Sequence, residues 1–123
     1  MLSTMWSINV ILALIFAGAG AMKLLRSKQQ LSVSPGMGWT DGYSATTIKV
    51  IGAAEIAGAL GLVLPMASNI APLLTPLASC GLVIVMTGAV ATHAQRQENF
   101  TTPLLLGVLA LISAVIGFIV VLG

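Results

Sequence analysis

The sequence predicts an all-α integral membrane protein folded as a bundle of four transmembrane helices. Three observations carry this expectation. Only 7% of the 123 residues are charged while 58% are hydrophobic, so the chain lacks the material for a polar skin. Its mean hydropathy is strongly positive. Its apolar residues fall into four continuous runs of spanning length, without the alternation of a membrane β-barrel.

The four runs give a single transmembrane domain over residues 1–123. The first, 6–23, opens at Trp6 and closes on Lys23. Its Ala17-Gly18-Ala19 triplet resembles a signal-peptidase site, but no Lys or Arg precedes the run and Lys23, Arg26 and Lys28 follow it. That is the reverse of a secretory leader, so a retained span is expected. The second run, 45–64, is expected to end before Pro65, which lacks an N–H and crowds the preceding turn. The third, 75–94, has Thr75 as a cap and Pro76 at the first helical position. The fourth, 103–122, follows Thr101-Thr102-Pro103 with the same signature.

The only sizeable connection is 24–44, where Ser34-Pro35-Gly36 and Thr40-Asp41-Gly42 are turn chemistry. Met37 and Trp39 lie between these turns and suit a membrane interface. Lys23, Arg26, Lys28 and Lys49 flank this first connection, Arg96 lies in the third, and the second is uncharged. Basic loops face the cytoplasm, so both termini are expected outside, in a bacterial inner membrane.

A net charge of +2 gives no reason to expect nucleic acid as a partner. A lone Cys80 leaves no intramolecular disulfide and no CxxC site, and neither metal nor cofactor is expected. Small residues at four-residue spacing suggest close helix contact, through Ala53, Ala57 and Gly61, Ala54 and Gly58, Ala17 and Ala21, and Ser113 and Gly117. Four short helices enclose little interior, so a homo-oligomer surrounded by membrane lipid is expected.

Glu55 is the most informative residue. Ten residues into the second run, it lies roughly 15 Å along the helix, near the bilayer centre. A carboxylate there is costly unless paired, hydrated or protonated, which marks it as a functional candidate. Lys23 and His93 come from other helices and approach from the same side. Lys49, six positions away on the same helix, is too far round to pair and should snorkel to the headgroups. An acid, an imidazole and a cation from three helices suggest a cytoplasm-facing pocket, with Glu55, His93 and Lys23 as catalytic candidates. Thr47, Met86, Thr87 and Thr92 are the expected lining residues. Such a set suits proton transfer to a small hydrophobic ligand, in isomerisation or epoxide opening, or the protonation of a quinone.

Three segments carry a family resemblance: Gly20-Ala21-Met22-Lys23-Leu24, Glu55-Ile56-Ala57-Gly58-Ala59-Leu60-Gly61-Leu62 with Pro65 beyond it, and Met86-Thr87-Gly88-Ala89 leading to His93. In order and spacing the chain resembles a DoxX-like membrane protein. The resemblance implies a four-helix membrane bundle, often found beside redox enzymes. It also implies an alternative to ligand chemistry, in which the chain is a non-catalytic membrane subunit or anchor of a soluble oxidoreductase. The connection 24–44 would then be the docking surface.

Overall fold

All four apolar runs are helices in the computed structural model, which describes residues 1–123, and no strand is present. They are α1 (Leu2–Leu25), α3 (Ala45–Ser68), α4 (Leu74–Gln95) and α5 (Thr101–Leu122). The first connection folds into a short helix, α2 (Lys28–Ser32), and a 3-10 turn, Gly38–Gly42. Ser27 and Gln30 start α2 with a reciprocal capping box. The long helices have 22 to 24 residues. At 1.5 Å per residue they are roughly 33–36 Å long, enough to cross the hydrocarbon with some tilt.

Four helix ends differ from the sequence expectation, the first being the start of α1, at Leu2 rather than Trp6. α3 does not stop before Pro65 but runs through it to Ser68, and Asn69 ends it in the left-handed conformation at φ 56°. Pro65 leaves the Gly61 carbonyl, four residues back, without its helical donor. Asn9 of α1 donates its Nδ2 to the Leu62 carbonyl, three residues before Pro65, at 3.0 Å. Thr75 is not the cap of α4. Leu73 holds that position, and Pro76 falls third in the helix, still within the turn whose N–H groups lack partners. Phe100 likewise precedes α5, and the Asn99 side chain accepts from the Thr101 N–H at 2.9 Å.

The helices form a ring in the order α1, α3, α4, α5, with α1 seated on α3 and α4 on α5. Gly20 and Gly52 bring α1 and α3 together near the long-connection end. A Cβ on Gly20 would stand 2.6 Å from the Gly52 carbonyl oxygen, and one on Gly52 would stand 2.9 Å from that of Gly20. At the opposite end α3 meets α4 through Gly58 against Leu82 and Gly61 against Ala78, and Gly117 of α5 lies on Pro76. Lipid is as apolar as a leucine side chain, so such close approach supplies the cohesion that water would otherwise supply. The core of Leu12, Phe16, Ala59, Leu62, Leu82, Met86 and Ala110 sits between these contacts. The small-residue stripes predicted from spacing are partly one register off. Ala17, Ala53, Ala54 and Ala57 are exposed, and the buried seam of α3 is Gly52, Glu55, Gly58, Ala59 and Leu62.

One run of hydrogen bonds ties all four helices at the end remote from the long connection. Ser113 of α5 donates to Asn9 Oδ1 of α1, so its single proton is used. Ser79 of α4 must then donate to Ser113, at 2.9 Å. Asn9 passes the chain on to Leu62 of α3. Every member is buried. Asn9→Leu removes the central link and leaves Ser113 and the Leu62 carbonyl unmatched. It is expected to cost about 1–2 kcal/mol, read as a lower midpoint in unfolding by a denaturing detergent.

Candidate functional site

The two hairpins meet tightly at one end and part at the other, where a cavity of about 690 Å³ lies between them. Ala19, Lys23, Ile51 and Glu55 line it from the α1/α3 pair, and Met86, Ala89, His93 and Leu106 line it from the α4/α5 pair. The sequence prepares this cleft by placing charge on the surfaces that glycine holds together. Gly20 and Gly52 let α1 and α3 touch backbone to backbone; a Cβ on Gly52 would stand 2.9 Å from Lys23 Cβ, and Glu55, one turn along α3 from Gly52, lies within reach of the lysine side chain. Lys23 Nζ is 2.7 Å from Glu55 Oε1, with side chains 9% and 3% exposed. Both charges are thus removed from bulk water and matched to each other. At this distance the contact is charge-assisted, and a carboxylate, with about four lone-pair sites on its two oxygens, keeps acceptor capacity beyond the one that faces Lys23.

The connection between α1 and α3 closes the cleft from above. Trp39, on the 3-10 turn, places its ring 5.9 Å from Lys23 Nζ, within cation–π range. It also meets the rings of Tyr43 and His93 edge to face, at 5.6 and 6.4 Å. Tyr43 and Thr92 share a 2.6 Å hydrogen bond between their hydroxyls, which joins this connection to α4.

His93 does not pair with Glu55. Its Nδ1 lies 3.2 Å from Glu98 Oε1, the oxygen that Arg96 Nε also meets at 3.0 Å. The end of α4 explains this. Gln97 adopts φ 57°, Gln97 N donates to Ala94 O and Glu98 N donates to His93 O, which turns Glu98 back under the imidazole. An ionised carboxylate only accepts, so Nδ1 carries the proton and Nε2 of a neutral ring keeps its lone pair.

Five of the seven residues singled out from the sequence therefore lie on one cleft: Lys23, Glu55, Met86, Thr92 and His93. Thr47 and Thr87 do not. Thr47 is exposed in the first turn of α3 and accepts from Ser44 Oγ, and Thr87 is exposed and donates back to Val83 O. Helical rotation is the reason: α4 shows 84, 85, 86, 88, 89, 92 and 93 to the cleft, and residue 87 points away from that arc. Lys49 is also outside, donating to the Leu24 carbonyl at the end of α1 at 2.9 Å. The sequence reading missed Tyr43 and Glu98. Trp39 was legible only as an aromatic residue suited to an interface.

These features define an integral membrane four-helix bundle with a charged pair buried in an apolar cleft. The DoxX-like family model matches residues 7–116, and the chain belongs to that family. Comparison with curated proteins and with solved structures finds no match.

Proposed function

We propose that the cleft binds a small lipophilic molecule and that Glu55 exchanges a proton with it, with Lys23 balancing the charge and His93 as a second proton carrier. One observation carries the reading: the cleft wall is mostly apolar, yet it holds a fully buried carboxylate whose only partner is an ammonium. A bundle needing stability alone gains little from such a pair, because desolvating two ions offsets most of their attraction. A site that moves protons on a hydrophobic molecule needs both an acid–base group and a dry wall. The cytoplasm-facing orientation predicted from the basic residues would place the Trp39 connection on the inner side.

Glu55→Gln tests this. The amide keeps the shape and still accepts from Lys23, so the melting temperature should barely move. A small lipophilic molecule that copurifies with the wild-type chain, seen by native mass spectrometry, should be lost from the variant. A fall in melting temperature with the bound molecule retained would make Glu55 structural. Recovery of a soluble oxidoreductase in equal amount, with no small molecule, would make the chain a membrane subunit instead.

A further inference from the structure

We infer that the ligand is an uncharged, membrane-borne hydroxyl compound, and that it reaches Lys23 and Glu55 sideways through a window between α3 and α4. The inference rests on the ligand-binding reading above and adds the chemistry of the head group and the route.

Charge selects the head. Lys23 and Glu55 cancel each other, and Glu98 at the mouth is matched by Arg96. An anion in the cleft would have to compete with Glu55 for Lys23, and a cation would have to displace Lys23 from Glu55. Either would leave an ion unpaired in an apolar wall, which is the costly case. A hydroxyl avoids both costs. It donates to the Glu55 carboxylate, whose lone pairs are not all taken by Lys23, and accepts from a remaining ammonium proton of Lys23.

The window is bounded by two contacts. At one end Gly58 of α3 is closed on Leu82, and at the other Tyr43, just before α3, bonds Thr92. Between Leu82 and Thr92 α4 advances ten residues, roughly 15 Å, and no glycine contact holds it to α3 there. The cleft residues in this stretch include Ile84, which is 73% exposed, and Gly88, where an added Cβ would meet nothing within 4 Å. A residue that lines a cavity and is also open to the outside marks where the cavity opens. Here the outside is hydrocarbon, because the window lies within two membrane-spanning helices. The apolar body of the ligand would pass between Ile51 and Ile84 with its head at Lys23.

Trp39 gives a direct reading. Trp6→Phe leaves it as the only tryptophan, 5.9 Å from Lys23 Nζ. The full-length variant in phosphatidylcholine nanodiscs would be titrated with three bromoalkyl probes of equal chain length, a phenol, a carboxylate and a primary ammonium, with bromine as the quencher. A phenol titrates near pH 10 and is uncharged at neutral pH. The phenol should quench Trp39 saturably, at a concentration at least tenfold below either charged probe. Gly88→Phe should weaken this at least tenfold and Gly88→Ala should not, at unchanged melting temperature. Ile84→Trp (read by displacement of a phenol labelled with a heavy isotope) covers the case where the phenylalanine variant fails to fold. Equal or better binding of a charged probe would overturn the head-group assignment. Unchanged phenol binding in folded Gly88→Phe or Ile84→Trp would overturn the window. Silence of all three probes would overturn the ligand-binding reading itself.

Discussion

Lys23→Met should destabilise the bundle by about 3–5 kcal/mol, the cost of leaving one member of a buried ion pair without its partner. The loss should appear as a lower unfolding midpoint in a denaturing detergent. Glu55 lies in the middle of α3 with a side chain 3% exposed, so it cannot swing to water when Lys23 is gone. Lys23 is different. It sits in the last turn of α1, where a long side chain can snorkel towards the headgroups, so loss of the carboxylate is better tolerated. The two single variants should therefore be unequal, with Lys23→Met much the worse. Lys23→Met combined with Glu55→Met should recover most of the stability, because two apolar side chains fill the space without desolvating an ion. Equal, small losses from both single changes would mean that water reaches the pair through the cleft.

Gly20→Ala should cost about 2–3 kcal/mol, at the upper end for overpacking by one methyl group. The new Cβ would stand 2.6 Å from the Gly52 carbonyl oxygen and 2.7 Å from Ile56 Cγ1. The isoleucine can rotate away, but the backbone oxygen cannot, so α1 and α3 must separate. Gly18→Ala, two residues earlier, is the control. Nothing lies within 4 Å of its Cβ position, and alanine there should be neutral or stabilise the helix by up to about 1 kcal/mol. Gly20→Ala should also shift the response of Trp39 to a bound probe, since the same contact sets the Lys23–Glu55 distance. A Gly20→Ala variant as stable as its Gly18→Ala counterpart would show that the helix pair has slack.

Much of the site was legible because charge is so scarce in this chain. With eight charged residues and one histidine, an acid ten residues into a span and a lysine closing another leave few alternatives, and Lys23 does meet Glu55. His93 was placed on the right cleft but with the wrong partner. Its pairing with Glu98 depends on the left-handed Gln97, a conformation that glutamine rarely takes and that its residue type does not announce. Thr47 and Thr87 were misplaced for a simpler reason. In a helix apolar all round, the pattern does not say which face is inside.

Composition and the length of the apolar runs determined the solvent and the architecture by themselves. A chain with 7% charged residues has no surface for water, and its continuous apolar runs satisfy their backbone within lipid as helices, whose hydrogen bonds are all internal. The register of those helices was decided by tertiary contact. Alanine and glycine recur on several faces of α3, and which face is buried depends on where Gly52 finds Gly20 and where Asn9 reaches the carbonyl before Pro65. The cleft is likewise a tertiary property. It exists because close glycine contacts hold the hairpins together at one end and none do at the other, and the turn carrying Trp39 folds over the gap. Local sequence carries propensity and polarity, but the distance between two helices is set by atoms from both.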